Sequence, residues 1–127
     1  MLAALAGPAR AETASFAGVV DLERAYELRL SNGIVEEFLG GTPAQVPERY
    51  RLGSPAALAP LRVKQTLIHG TEDEPVPVSI SSGYHARATA LGDPVQLSLL
   101  PGAGHFELIN PLSNEWPRVV EAIASLI

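Results

Sequence analysis

Two ionisable residues follow apolar, strand-like runs in this chain. Asp73 lies in Leu67-Ile68-His69-Gly70-Thr71-Glu72-Asp73-Glu74-Pro75-Val76-Pro77, and His105 in Leu99-Leu100-Pro101-Gly102-Ala103-Gly104-His105-Phe106. Each run breaks into a Gly/Pro loop. An acid and a base just beyond neighbouring strands suit general acid–base chemistry in a parallel-sheet protein. Histidine has the free pKa nearest neutrality and is the natural base. A carboxylate that accepts its ring N–H fixes the tautomer and stabilises the imidazolium. Each residue also has a plainer reading, with Asp73 bonding its own turn and His105 a partly buried loop residue. Their joint placement after successive strands favours the acid–base pair.

The remaining polar candidates are weaker. His69 closes its strand and is expected to pack or bond backbone there. His85 falls mid-helix beside Ser81-Ser82-Gly83 and is expected to be exposed. Glu72 and Glu74 flank Asp73 and compete as the acid, but the spacing His-Gly-x-x-Asp favours Asp73. A zinc site from His69, Asp73 and His105 is conceivable by ligand type, yet nothing resembles H-E-x-x-H. Gly40-Gly41 lacks the Lys-Ser/Thr continuation of a phosphate loop. The expectation is therefore no metal and no cofactor.

These loops need strands and helices to position them. Thr13 to Val20 reads as a strand of small and β-branched residues. Asp21 caps a helix whose Leu22, Ala25, Tyr26 and Leu30 share a face. Ile34, Val35, Phe38 and Leu39 form a short helix ended by Gly40-Gly41. Residues 42–62, with Pro43, Pro47, Pro55 and Pro60, read as irregular. Val63 to His69 is the second strand. Ser79 to Leu91 is a helix with Ile80, Tyr84, Ala88 and Leu91 as its stripe. Val95 to Leu100 is the third strand. The last helix, from about Asn114, carries Trp116, Val119, Val120, Ile123 and Leu126, with Pro117 in its first turn. Strands separated by helices predict an α/β fold of three layers. A parallel sheet of about three strands would carry right-handed crossover helices. The whole chain, 1–127, reads as a single domain.

Composition excludes several classes. The 127 residues are 46% hydrophobic and 18% charged, an ordinary globular balance. A net charge of -5 without a basic run argues against nucleic acid or an anionic membrane as partner. There is no cysteine, hence no disulfide or thiolate site. Ala9-Arg10-Ala11 mimics a signal-peptidase site, but no basic residue precedes the short apolar run before it. Met1 to Ala6 reads instead as the last turns of a buried helix stopped by Gly7-Pro8, and a cytoplasmic protein is expected.

From about Phe16 onward the chain resembles the C-terminal part of α/β-hydrolase-fold serine hydrolases. The nearest groups are small esterases, arylformamidase-like enzymes, and dienelactone-hydrolase or prolyl-peptidase relatives. The resemblance rests on Gly18-Val19-Val20-Asp21-Leu22, Phe38-Leu39-Gly40-Gly41, and Pro47-Glu48-Arg49-Tyr50 through Ser54-Pro55. It continues in His69-Gly70-x-x-Asp73-x-x-Val76-Pro77, Gly102-Ala103-Gly104-His105-Phe106, and Asn110-Pro111 with Trp116. It implies Asp73 as triad acid and His105 as triad base, in the chain order Ser…Asp…His. It also implies hydrolysis of small carboxylic esters or amides.

The departure is the nucleophile. No G-x-S-x-G elbow occurs in the sequence. By the resemblance, the serine would stand just before residue 1, making this a truncated α/β-hydrolase fold. Ser15 sits in a strand and Ser54 precedes Pro55. Ser79, Ser81 and Ser82, at a helix start near Asp73, are the least implausible substitutes. Triad members act as a unit, so a pair without its serine loses most of the rate, while His105 could still activate water. Phe106, Leu108 and Ile109 suggest an apolar acyl or aryl pocket, or else core. The strand at Thr13 to Val20 would keep an unpaired edge, which predicts a homodimer or higher oligomer through that edge or the N-terminal helix. The competing reading is a non-catalytic module that oligomerises or binds a hydrophobic ligand.

Overall fold

The computed structural model describes residues 2–7 and 10–127. A four-stranded sheet runs in the order β1-β2-β3-β4, with β1 Leu2–Gly7, β2 Arg10–Phe16, β3 Lys64–Gly70 and β4 Val95–Leu100. β2, β3 and β4 are parallel, in register from Glu12↔Lys64 to Phe16↔Ile68 and from Gln65↔Val95 to Gly70↔Leu100. The helices are α1 Leu22–Glu27, α2 Ile34–Leu39, α3 Pro47–Gly53, α4 Pro55–Leu58, α5 Ser79–Ala90 and α6 Trp116–Ala124.

β3 is the middle of the three parallel strands and is buried from Gln65 to Gly70, as a strand covered on both faces must be. Its adjacent residues Leu67 and Ile68 point to opposite sides and belong to different cores. Leu67 packs with Ala25, Tyr50, Val76, Ile80 and Tyr84 beneath α1 to α5. Ile68 packs with Ala17, Leu100, Leu108, Val119 and Ala122 beneath α6. The fold is thus the three-layer α/β arrangement expected from the sequence.

Several local expectations are corrected. Leu2–Gly7 is a strand rather than a helix tail, antiparallel to β2 from Leu2↔Ser15 to Gly7↔Arg10. Pairing along the edge of β2 gives its backbone groups partners, and this overrides the helical preference of an Ala/Leu run. Met1, Pro8 and Ala9 lie outside the described residues. With them go the Pro8 helix stop and the start of the cleavage-like tripeptide. β2 ends at Phe16, short of the expected Val20, because Ala17 turns to φ +48° and donates its N–H to the Ile68 carbonyl at 2.8 Å. Residues 42–62 are not wholly irregular. Pro47 and Pro55 start α3 and α4, where a missing N–H is harmless. In α5, Ser81 is buried beside Ile80, Tyr84 and Ala88, whereas Leu91 is exposed. In α6, Val119 and Ala122 are buried and Val120 is exposed.

Two polar anchors hold the helical layer. The Ser54 hydroxyl accepts the Leu22 N–H at 3.0 Å, and the buried Asp93 carboxylate accepts the N–H groups of Leu61 and Arg62 at 2.7 Å each. Asp21 caps α1 by accepting the Arg24 N–H at 3.1 Å, so its place after β2 serves structure.

Candidate active site

The loops after β3 and β4 leave the same edge of the sheet and are joined by backbone hydrogen bonds. Thr71 N–H donates to the Leu100 carbonyl at 3.1 Å and Glu72 N–H to the Ala103 carbonyl at 2.9 Å. Gly102, in the left-handed region at φ +77°, donates its N–H to the Thr71 hydroxyl at 2.9 Å. This approach requires glycine at position 70. A Cβ there would collide with the Ala103 carbonyl oxygen and lie 2.6 Å from that of Gly104. Both obstacles are backbone and cannot rotate aside.

Held this way, the two sequence-predicted residues meet. His105 Nδ1 lies 2.7 Å from Asp73 Oδ2. The carboxylate has no lone proton to give when ionised, so the ring N–H donates. The Asp73 side chain is 0% exposed and that of His105 is 28% exposed. Asp73 Oδ1 accepts the Val76 N–H at 2.8 Å, closing the turn that carries it. With Nδ1 donating, the lone pair of His105 stands on Nε2, and no described residue hydrogen-bonds that atom. Phe106 sets its ring edge-on to the imidazole, with centroids 5.2 Å apart and planes at 89°.

His69 is fully buried behind the acid. Its Nε2 is 2.7 Å from the Val76 carbonyl and its Nδ1 is 2.7 Å from the Ser81 hydroxyl. Nε2 also lies 3.4 Å from Asp73 Oδ2. Burial lowers the His69 pKa, outweighing the Val76 bond and the Asp73 charge, which raise it. The ring is therefore neutral near pH 7, and it bonds backbone as its strand-end position suggested. Sequence reasoning missed Ser81 as its partner. The available signal was a hydroxyl on the buried stripe of α5, one turn before Tyr84.

The serines weighed as nucleophiles are not brought to His105. Ser15 is buried and accepts the Gly18 N–H at 3.3 Å, Ser54 accepts the Leu22 N–H, and Ser81 is committed to His69. Ser79 and Ser82 make no hydrogen bond to the imidazole. Glu72 and Glu74 are exposed and stand apart from the pair. His85, expected to be exposed, is half-buried on α5. As for a metal, both ring nitrogens of His69 already have partners. No cluster of three ligating side chains occurs among the described residues. No described helix is long and apolar enough to cross a membrane.

No protein-family model matches the sequence, and neither does any curated protein. Solved structures do. An acylaminoacyl peptidase from Pyrococcus horikoshii matches at TM-score 0.65 and 23% identity, over 76% of this chain and 16% of its own. A truncated carbohydrate esterase from gut microbiota matches at TM-score 0.58 and 24% identity, over 72% and 34%. A thermophilic esterase from Thermogutta terrifontis matches at TM-score 0.56 and 18% identity, over 72% and 31%. The chain has the fold of an α/β-hydrolase fragment. It spans 16% of the peptidase and about a third of each esterase.

Proposed function

We propose that this chain carries the acid and base of a hydrolase acting on small carboxylic esters or amides. The observation behind the reading is the 2.7 Å contact between His105 Nδ1 and the buried Asp73 carboxylate, with Nε2 left open. His105 Nε2 takes a proton from the attacking O–H as its oxygen bonds to the carbonyl carbon. Asp73 stabilises the imidazolium, which then returns the proton to the departing alkoxide or amine. No serine hydroxyl among the described residues reaches His105. In this chain alone the attacking group is water, and a hydroxyl presented from a further segment would use the same lone pair.

Apolar surface supports the substrate side. Val19, Leu22, Ile34, Val35 and Phe38, with Glu37 beside them, line a hollow of about 440 Å³. Val19 follows β2, so it leaves the sheet at the same edge as the two loops. Phe38 is 83% exposed there, which suits an acyl or aryl group. Of the residues expected to form such a pocket, Leu108 is core, whereas Phe106 and Ile109 are exposed. The oligomer is also proposed through a different edge. β1 covers β2, and among the described residues no strand lies outside β1 or β4. These outer edges are where a second copy would pair. Light scattering that finds only monomer at micromolar concentration removes that part.

p-Nitrophenyl acetate is the probe for the activity. Turnover above buffer is expected from the purified chain and is lost in His105→Ala. Equal rates in both, with circular dichroism unchanged, would overturn the enzymatic reading and favour the binding-module alternative.

A further inference from the structure

His69 and Ser81 form a second hydrogen-bonded pair directly behind the acid, and their proton positions are determined by their partners. The Val76 carbonyl only accepts, so the His69 proton sits on Nε2. Nδ1 is then a bare lone pair, and the Ser81 hydroxyl must donate to it. Nε2–H also faces Asp73 Oδ2 at 3.4 Å, while Val76 N–H donates to Oδ1 at 2.8 Å. These contacts close a ring through His69, the Val76 peptide groups and the Asp73 carboxylate. Both carboxylate oxygens are therefore approached from the buried side by donors that His69 or its bonded turn supplies.

We propose that His69, keyed into one tautomer by the Val76 carbonyl, is a positioning residue that aims the Asp73 carboxylate at His105. The inference rests on the reading of Asp73 and His105 as an acid–base pair. The alternative tautomer would aim a lone pair at the Val76 carbonyl and at Oδ2, repelling both. A protonated His69 would draw Oδ2 away from His105. The Val76 carbonyl prevents the first because it can only accept, and Ser81 then donates to Nδ1. Burial prevents the second, the titratable groups acting on His69 being Asp73 and His105. Asp73 Oδ2 thus meets one fixed neutral donor on its buried side and the His105 ring on the other.

Nitrogen-15 and proton NMR of the histidine rings in the 127-residue chain tests this without requiring turnover. In the unaltered chain, His69 is expected as the neutral Nε2–H tautomer at neutral pH. A downfield Nδ1–H resonance is expected for His105, bonded to Asp73. His69→Phe should abolish that resonance. His69→Gln keeps a donor for Val76 and should restore it. Ser81→Ala leaves the ring in place, and the Val76 carbonyl should keep His69 in the Nε2–H tautomer, which keeps the test open if His69→Phe does not fold. A His69 that is Nδ1-protonated or charged at neutral pH overturns the proposal. So does a His105 downfield proton indifferent to His69→Phe, with the acid–base reading left standing. Absence of the His105 downfield proton in the unaltered chain overturns both.

Discussion

The turn carrying Asp73 and the loop carrying His105 are built on opposite principles. The acid is enclosed. Its side chain is fully buried, Val76 closes the turn over it, and His69 and Ser81 stand behind it. The base is suspended from the side. Among the described residues its ring has one hydrogen bond, one edge-on contact with Phe106 and no partner at Nε2. In the proposed reaction the base would exchange a proton and meet a substrate, which sparse surroundings suit, whereas the acid would only have to hold still, which enclosure by polar groups suits.

That contrast can be broken in order of effect. Asp73→Asn keeps the shape but offers an N–H to Nδ1, forcing the wrong tautomer. Any His105-dependent hydrolysis should fall about ten-thousandfold, read as kcat/KM beside an unchanged circular dichroism spectrum. Gly70→Ala separates the two loops, since its Cβ meets two backbone carbonyls. Urea unfolding should show a loss of about 3 kcal/mol, with the His105 downfield proton gone. Truncation should expose the asymmetry directly. Asp73→Ala strands buried donors and should cost about 2 kcal/mol of stability. His105→Ala removes one bond from a partly exposed ring and opens the Asp73 carboxylate to water, so it should cost under about 1 kcal/mol. Nearly equal losses in the two variants would refute the contrast.

The smallest effect is on pH dependence. Burial lowers the His69 pKa in the folded chain from its ordinary 6.5. As pH falls through 6.5, the unfolded chain takes up a proton that folded His69 refuses. Stability contributed by neutral His69 is thus present above that pH and lost below it. Melting temperature should drop more steeply below pH 6.5 in the unaltered chain than in His69→Gln, where nothing titrates at that position. Parallel curves would mean that His69 is not held neutral.

Much of this was legible because periodicity and punctuation carry it. β4 occupies the residues read for it, Val95 to Leu100, since a short apolar run between Asp93-Pro94 and Pro101-Gly102 has one reading. Asp73 and His105 were found from their place after such runs, and the parallel register of β3 and β4 brings their loops together. The N-terminal strand was not legible, because Leu2 to Gly7 has helical preference and only pairing with β2 decides otherwise. The early end of β2 depends on a bond from Ala17 to Ile68, fifty-one residues later in the sequence. The roles of His69 and Ser81 were hidden for a similar reason. Each is unremarkable alone, and only the packing of α5 on β3 makes them partners.

The backbone stitching of Thr71 and Glu72 to Leu100 and Ala103 has a consequence for how this protein can vary. Neither loop can gain or lose a residue alone without unpicking the seam. Length changes along this edge are confined to places outside it, such as the exposed stretch from Asn110 to Leu112, or must occur in both loops together. A side chain acquired at position 70 would likewise demand compensating movement at 103 and 104. Across divergent descendants of this chain, these two segments should therefore change in step, while the surface around them drifts freely.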